Sequence, residues 1–316
     1  MAGVILCGCG SIGRRHLENL AALGAEVFAV CEPNTSVIPD GPWQKLASIG
    51  QLGKRIQGQF VVIASPTRHH VEHAAWALSK GARAVLIEKP LATTYAEAKE
   101  LEPWKDQIAV AFNYRFLVPL KEGMKQYLDD EGRKVLVISA TDDISKWPDF
   151  GPTSYMLDPD QGGVLLTSAS HSIDLAISLL GSANWLVGEI TKIGALESMV
   201  LVRLTHDNGS QSIVDCSWLP AISEHSMVFG LSPHGVTVID LMRHDMDRAK
   251  ALMHLEMMRA FLAWSGGHDP GHLCLWKDAI AGMLVIDGLR KSSEIDGPVF
   301  LEDGQILSKE EKNAQH

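Results

Sequence analysis

Three glycines follow the first apolar run of the chain at a spacing that suits a phosphate-binding turn. After the run 4–7 come Gly8, Gly10, Ser11, Ile12 and Gly13. The first glycine allows a tight turn, the second lets a pyrophosphate approach the bare backbone, and the third lets a helix pack close to the strand. The helix N-terminus adds free N–H groups and a positive dipole end. Glycine-rich turns are common, so the motif by itself is weak evidence for a dinucleotide-binding loop.

A carboxylate follows at the distance expected of such a unit. A helix is predicted over 12–23 and a strand over 26–31, and Glu32 then stands about 20 residues after the last glycine. A carboxylate there accepts the ribose hydroxyls of NAD and repels the 2′-phosphate of NADP. A solvated acid at a strand end is the structural alternative. Together with the glycine loop, Glu32 predicts that the cofactor is NAD. Arg14 and Arg15 follow the loop and could partly offset the charge of this carboxylate, so NADP remains an alternative cofactor.

A lysine lies at the end of another apolar segment. The segment 84–87 is followed by Glu88, Lys89 and Pro90. A lysine at the carboxyl end of a parallel strand points into the crevice where open α/β sheets bind ligands, and a partly desolvated ammonium loses its proton more readily. Lys89 is therefore a candidate proton donor or acceptor. The structural alternative is a surface lysine before a turn.

A second candidate for proton transfer lies after Gly162 and Gly163. If the stretch is helical, its polar residues fall at steps of three and four and share one face. These residues are Thr167, Ser170, His171 and Asp174. Imidazole titrates near the working pH of most enzymes, so His171 is predicted to be a general acid/base that Asp174 orients. A hydrogen-bonded structural histidine is the alternative.

The elements that must position these groups alternate between strand and helix up to about residue 120. Strands are predicted over 4–7, 26–31, 60–64, 84–87 and 108–112, helices over 12–23, 68–80 and 94–102, and a short helical stretch over 43–56. This alternation predicts a doubly wound parallel sheet. After a helix predicted over 118–128, strand-like segments dominate. They are 135–142, 185–193, 199–205, 211–218, 226–231 and 235–241. Helices over 246–264 and 274–291 and a strand over 299–301 are predicted after them.

The second half therefore reads as an α+β domain with a mostly antiparallel sheet. A length of 316 residues also exceeds what one core usually serves, roughly 250 to 300 residues. We expect a dinucleotide-binding domain over residues 1–120 and a substrate-binding and oligomerisation domain over 121–316.

Composition limits the class of partner. A formal net charge of −10 without a Lys/Arg cluster argues against a nucleic-acid surface. No apolar run reaches the roughly 20 residues of a membrane helix, and the five scattered cysteines form no disulfide pattern and no metal motif. The sequence predicts a soluble cytoplasmic protein that binds a small molecule.

Taken in order, the motifs resemble the Gfo/Idh/MocA family of NAD(P)-dependent oxidoreductases, whose dinucleotide-binding domain is a Rossmann fold. The matching segments are Gly8-Cys9-Gly10-Ser11-Ile12-Gly13-Arg14-Arg15-His16, Ser65-Pro66-Thr67 with His70, Glu88-Lys89-Pro90, Asn113-Tyr114-Arg115-Phe116, and Gly162-Gly163 ahead of His171 and Asp174. Segments 289–293 and 297–299 look like the family's closing helix and strand. The combination is specific, whereas each motif alone is not.

The resemblance implies an enzyme that interconverts a secondary alcohol and a ketone on a sugar, a polyol or a sugar-derived substrate, nucleotide-linked sugars included. Lys89 and His171 would handle the proton. The cofactor contacts implied are the glycine loop, Glu32, Ser65, Pro66, Thr67, His70, Glu88, Lys89 and Asn113, and the substrate contacts are Lys89, Arg115, Tyr155, Thr167, His171 and Asp174. A cis peptide before Pro90 and a homodimer or homotetramer are also implied. The segment from Trp147 to Tyr155 looks like a branch that acts on sugar acids or nucleotide-linked sugars.

One position departs from the family pattern. Many members carry an aspartate four residues before the histidine, where this chain has Thr167. A hydroxyl can hydrogen-bond a sugar oxygen but does not accept a proton as a carboxylate does. Two other functions therefore stay open: a non-catalytic dinucleotide-binding or regulatory protein, and an enzyme that uses transient oxidation by bound NAD to cleave or epimerise a sugar.

We predict that Glu32→Ser shifts cofactor preference toward NADP, because the substitution removes the carboxylate that repels the 2′-phosphate. The measurement is the ratio of the NADH and NADPH dissociation constants, by fluorescence titration of variant and parent. If the ratio of the two dissociation constants does not change, a group other than Glu32 distinguishes the ribose of NAD from that of NADP.

Overall fold

The computed structural model describes residues 3–147, 151, 154–218, 224–242 and 247–314. The chain forms two compact units. The first unit comprises Met1–Phe116 and Ala251–Ala279, and the second unit comprises Leu117–Lys250 and Ile280–His316. The segment 251–279, which lies late in the chain, thus belongs to the compact unit that also contains the glycine loop.

The elements alternate as expected over the first half of the chain. They are β1 (Val4–Cys7), α1 (Ser11–Ala22), β2 (Val27–Cys31), β3 (Gln44–Leu46), β4 (Phe60–Ile63), α2 (His70–Ser79), β5 (Ala84–Ile87), α3 (Tyr95–Lys99), β6 (Ile108–Val110) and α4 (Val118–Asp129). The remaining elements are β7 (Val135–Thr141), α5 (Ser170–Leu180), β8 (Ala183–Ile193), β9 (Leu196–His206), β10 (Gln211–Ser217), β11 (His225–Ser232), β12 (Gly235–Asp240), α6 (Asp247–Ser265), β13 (Cys274–Leu275), α7 (Trp276–Ile295), β14 (Val299–Glu302), β15 (Gln305–Ser308) and α8 (Lys309–Ala314).

The first unit is built on a seven-stranded sheet of order β13-β6-β5-β4-β1-β2-β3. Strands β1 to β6 pair in parallel, and only β13 pairs antiparallel, with β6. Every residue of β1, β4, β5 and β6 is buried, as the continuous runs of Val, Ile, Leu and Ala require of strands covered on both faces. The predicted doubly wound parallel sheet is confirmed, and the carboxyl ends of its strands lie along one edge.

Two local predictions for this unit are wrong in part. The segment 43–56 was expected to be helical, but it contains β3, which pairs with β2, and a 3₁₀ segment over Ile49–Ile56. Gly53 lies within that segment at φ 54°, a left-handed conformation that interrupts a regular helix. The helix expected over 274–291 starts later, because Cys274 and Leu275 pair with β6.

The second unit contains an eight-stranded sheet of order β12-β11-β7-β10-β9-β8-β14-β15. All of its ladders are antiparallel except β7 with β10. The predicted mostly antiparallel sheet is confirmed, and β15 adds a strand that the sequence pattern did not indicate. Gly209 turns the β9–β10 hairpin at φ +79°, and the Asn208 side chain accepts a hydrogen bond from the Ser210 amide there.

The two faces of this sheet differ. On one face α7 packs so closely that a Cβ at Gly188 would lie 2.5 Å from Leu289 Cδ1. On the other face, apolar side chains at alternate strand positions are exposed, including Leu201 (50%), Val236 (67%) and Val238 (54%). Among the described residues, the helices thus leave an apolar face of this sheet open. Within the described ranges, no helix combines the length and hydropathy needed to cross a membrane.

Candidate active site

The glycine loop after β1 has two packed glycines and one open one. Gly8 has φ +98°, and a Cβ there would lie 2.3 Å from the Ala64 carbonyl oxygen. A Cβ at Gly13 would lie 2.2 Å from the Gly8 carbonyl oxygen, whereas one at Gly10 would meet nothing within 4 Å. Gly8 and Gly13 are thus required by the fold of the loop, and Gly10 leaves bare backbone facing open space. This cradle fits the pyrophosphate of a dinucleotide.

The loop is tied to the acid at the end of β2. Glu32 is half-buried, and its carboxylate accepts hydrogen bonds from the backbone N–H of Cys9 at 3.0 Å and of Asn34 at 3.3 Å. Ser11 and Ile12 form the first turn of α1 directly after the loop. The carboxylate is therefore held beside the phosphate cradle, which is where a ribose-reading acid must lie.

His70 holds the turns after β4 and β5 together. Its Nδ1 lies 2.8 Å from the Pro90 carbonyl oxygen and its Nε2 lies 2.8 Å from the Ser65 carbonyl oxygen. Burial lowers the pKa of His70, although both carbonyl contacts act to raise it. Thr67 beside it is buried and Pro66 is exposed. Both partners are carbonyl oxygens, which only accept, so the neutral ring donates to one of them at a time and lies between the turns that follow β4 and β5.

Glu88 forms a buried pair with a histidine of the cofactor helix. Its Oε1 lies 2.6 Å from His16 Nε2, and the His16 side chain is fully buried. The Lys89 backbone N–H donates to Glu88 Oε2 at 3.2 Å, and the Lys89–Pro90 peptide is cis, as the resemblance implied. Burial acts to raise the pKa of Glu88, but the His16 hydrogen bond and nearby positive charges outweigh it and lower that pKa. Lys89 itself is half-buried beside this carboxylate.

Two further polar pairs of the first unit join the segment after β6 to the segment 251–279. Asn113 Nδ2 donates to His254 Nε2 at 2.8 Å, and both residues are buried. The buried Arg115 guanidinium donates to Asp278 Oδ2 at 2.8 Å. Sequence reasoning missed His254 and Asp278, because neither belongs to a motif and only the tertiary fold brings them to residues more than a hundred positions away.

The helical stretch after Gly163 is not a regular α-helix. A π-helical turn over Leu165–Ala169 precedes α5, which begins at Ser170. Thr167 Oγ1 donates to the Gly163 carbonyl at 2.6 Å, and Ser170 Oγ donates to the Leu166 carbonyl at 2.8 Å. Thr167 and Ser170, two of the four polar residues predicted to share one helix face, therefore donate hydrogen bonds to backbone carbonyl groups of the same stretch. Hydroxyl groups inside helices often do so.

Ser168, which the sequence did not single out, bonds to groups outside the helix. Its Oγ donates to Asp142 Oδ2 at 2.8 Å and accepts from Trp218 Nε1 at 2.9 Å. Trp218 in turn meets Trp147 edge to face, with ring centroids 6.0 Å apart. The ends of β7 and β10 thus supply an acid and aromatic rings beside the start of α5.

The remaining predicted substrate residues also lie in the second unit. His171 is half-buried in the first turn of α5, and Asp174, one turn later, is 3% exposed. Tyr155 is 38% exposed in a 3₁₀ turn. The sugar-binding segment from Trp147 to Tyr155 includes residues 148–150 and 152–153, which lie outside the described residues.

The first part of the chain is similar to a known family of proteins. Residues 2–104 match the model of an oxidoreductase family with an NAD-binding Rossmann fold, GFO_IDH_MocA. A D-apiose dehydrogenase from Paraburkholderia graminis is 27% identical over 241 residues, which is 67% of this chain and 60% of that protein. The chain thus matches less than two thirds of that relative's length.

Solved structures share the fold over nearly the whole chain. A levoglucosan dehydrogenase in complex with NADH covers 95% of this chain with a TM-score of 0.81 and 18% identity, and 98% of that chain is matched. A probable dehydrogenase from Thermotoga maritima and a myo-inositol dehydrogenase from Corynebacterium glutamicum give TM-scores of 0.78 and 0.77 at 20% and 17% identity, each over 96% of this chain and 99% of theirs. At these identities the likeness establishes the architecture.

We predict that Gly10→Ala and Gly13→Ala fail in different ways. Gly10→Ala should keep the melting temperature near the parent value but weaken NADH binding at least about 10-fold, because the new methyl group enters the open cradle. Gly13→Ala should lower stability by about 1–3 kcal/mol, because its methyl group collides with backbone. Fluorescence titration and thermal unfolding measure the two effects. Parental NADH affinity in Gly10→Ala would contradict the placement of the pyrophosphate.

Proposed function

We propose that the chain is an NAD-dependent dehydrogenase or reductase of the Gfo/Idh/MocA type, because residues 2–104 match the model of that oxidoreductase family with an NAD-binding Rossmann fold. The reaction proposed is the interconversion of a secondary alcohol and a ketone on a sugar, a polyol or a sugar-derived substrate. Residues 1–120 would form the cofactor domain and residues 121–316 the substrate and assembly domain, except that the segment 251–279 packs in the compact unit of the glycine loop.

The observation that carries the proposal is the buried contact that joins the turn carrying Lys89 to helix α1. Lys89 directly follows Glu88, whose carboxylate is 2.6 Å from His16 on α1, the helix that opens at the glycine loop. A half-buried lysine is thereby held at the carboxyl edge of the parallel sheet, where ligands of open α/β sheets bind.

The residues proposed to hold NAD are those of the glycine loop together with Glu32, Ser65, Pro66, Thr67, His70, Glu88, Lys89 and Asn113. When bound, NAD supplies the hydride acceptor or donor. The Glu32 carboxylate would accept the ribose hydroxyls, and the N–H groups at the start of α1 would meet the phosphates. NAD is the cofactor of the family model, and NADP stays open because Arg14 and Arg15 follow the loop.

Proton transfer is proposed for Lys89 and His171. As alcohol becomes ketone, the hydroxyl proton must leave as well as the hydride, and an amine or an imidazole can take up that proton. Asp174 would orient the imidazole. Arg115, Tyr155 and Thr167 are the further substrate contacts proposed.

A sugar or polyol is the substrate class that we propose. The curated relative acts on D-apiose by its name, and the solved relatives include dehydrogenases of levoglucosan and myo-inositol. The half-buried Asp142 carboxylate near the start of α5 suits a polyhydroxylated ligand, since carboxylates accept hydrogen bonds from hydroxyl groups.

One observation favours a second candidate function. Thr167 is 4% exposed and its hydroxyl donates to the Gly163 carbonyl, so this position supplies no carboxylate. A dinucleotide-binding protein without turnover, or an enzyme that cleaves or epimerises a sugar by transient oxidation, would tolerate that. A net change of absorbance at the nicotinamide band with a panel of polyols separates the dehydrogenase from both.

We further propose a cytoplasmic homodimer or homotetramer. All five cysteines are free thiols, as in a reducing compartment. The open apolar sheet face of the second unit, with Val236 and Val238 on β12 and Leu201 on β9 exposed, would be covered by the same face of another subunit.

We predict that Lys89→Ala and His171→Ala each lower kcat by about 100-fold or more, the usual scale of general acid–base catalysis, while the NADH dissociation constant stays close to that of the parent. The double variant should lose less than the product of the single losses. Exposed Lys80→Ala and His268→Ala are matched controls. Parental turnover in both site variants, on the true substrate, would show that neither Lys89 nor His171 transfers the proton.

Thr167→Asp is an informative companion variant. It restores the carboxylate that many family members carry, so activity on simple polyols should appear or rise if the threonine sets specificity. An inert site would show no change in nicotinamide absorbance with the same polyols.

Light scattering should show a dimer or tetramer at micromolar concentration. The double variant Val236→Lys/Val238→Lys should shift the mass toward the monomer, because it introduces charge into the apolar sheet face. Val118→Lys, an exposed valine on α4, is the control and should leave the mass unchanged. A monomeric parent would count against assembly through this face.

A further inference from the structure

We infer that His254 is a positioning residue for NAD binding: it fixes the Asn113 side-chain amide so that the amide carbonyl oxygen is left to accept a hydrogen bond from the cofactor. The inference rests on the proposed function. Both residues lie beyond residues 2–104, which the family model matches, and His254 lies in α6, where the sequence shows no motif.

The contact between the two side chains allows one assignment of donor and acceptor. Asn113 Nδ2 lies 2.8 Å from His254 Nε2. An amide nitrogen only donates, so the imidazole Nε2 must carry the lone pair and the ring proton must be on Nδ1. Burial lowers the pKa of His254 to about 4, with Arg15, His16 and Lys89 acting in the same direction and Glu88 against it. The ring is therefore a neutral acceptor at physiological pH.

The other end of the amide points to a ligand. Within the described part of the chain, Asn113 Oδ1 is buried and accepts no hydrogen bond. A buried carbonyl oxygen without a donor destabilises the isolated protein, and folded proteins rarely keep one without a use. The nicotinamide half of NAD carries amide N–H and ribose O–H donors that suit it.

The place of Asn113 fits this use. Asn113 follows β6, the strand next to β5, which ends at Glu88 and Lys89. The charges that act on His254 are those of Glu88, Lys89, Arg15 and His16, so the ring lies near both the lysine turn and the start of the cofactor helix. Without His254, the Asn113 amide would be able to turn over and present its NH₂ group instead.

The test compares an apolar and an acceptor-bearing replacement. His254→Leu removes the acceptor, and His254→Gln keeps a side-chain oxygen that can accept from Asn113 Nδ2. We expect NADH binding, read by fluorescence titration, to weaken about 10-fold in His254→Leu, the usual effect of losing one buried hydrogen bond. His254→Gln should stay within about 3-fold of the parent. The KM for NAD should follow the dissociation constants, and kcat should change by less than about 3-fold.

A purely structural role gives a different pattern. If His254→Leu folds with a parental melting temperature and binds NADH like the parent, or if His254→Gln loses as much affinity as His254→Leu, the inference is overturned. Should His254→Leu not fold, Asn113→Ser replaces it, and parental affinity in that variant overturns the inference equally. The double variant His254→Leu/Asn113→Ser should lose no more affinity than the weaker-binding single variant, because the two residues act as one unit.

Failure of the proposed function looks different again. In that case the parent protein itself shows no NADH binding in the same titration, and the inference falls with it. A parent that binds NADH while His254→Leu binds it equally well overturns only the positioning role.

Discussion

The first unit depends on the buried pair between His16 and Glu88. It joins helix α1, which opens at the glycine loop, to the turn after β5 that carries Lys89. Removing one partner of such a pair leaves an uncompensated buried group, which costs about 3–5 kcal/mol. The pair therefore sets the distance between the phosphate cradle and the lysine, and the other contacts of this edge refine an arrangement that it fixes. His70 lies between the neighbouring turns after β4 and β5, with one ring nitrogen 2.8 Å from a carbonyl oxygen of each.

The parts of the fold that could be predicted from the sequence are those fixed by local physics. Gly8 and Gly13 are glycine because a Cβ would collide with backbone, so the motif reports a steric requirement. The buried strands β4 and β5 appear as continuous apolar runs, and the turn residues after them mark the edge where the candidate site lies. Glu32 could be placed beside the loop because the length of a strand–helix–strand unit is nearly constant.

The rest depends on tertiary contacts that no local pattern carries. β3 and β13 are short segments that become strands because β2 and β6 offer free edges. A π-helical turn over Leu165–Ala169 precedes α5, and Gly162 just before it packs so closely that a Cβ would lie 2.2 Å from the Met156 carbonyl oxygen. Within this turn the Thr167 hydroxyl donates to the Gly163 carbonyl. The neighbouring Ser168 hydroxyl, by contrast, forms hydrogen bonds with the Asp142 and Trp218 side chains. His254 reaches Asn113 only through the fold.

The central claim is that this cofactor edge transfers hydride between NAD and a hydroxyl-bearing carbon. The most direct measurement is isotope transfer: the protein is incubated with NAD and a polyol deuterated at its carbinol carbons, and the recovered cofactor is weighed by mass spectrometry. The account predicts NADH that carries one deuterium at nicotinamide C4, in an amount equal to the ketone formed. Recovered cofactor without deuterium, from a protein that binds NAD and converts the polyol, would contradict it.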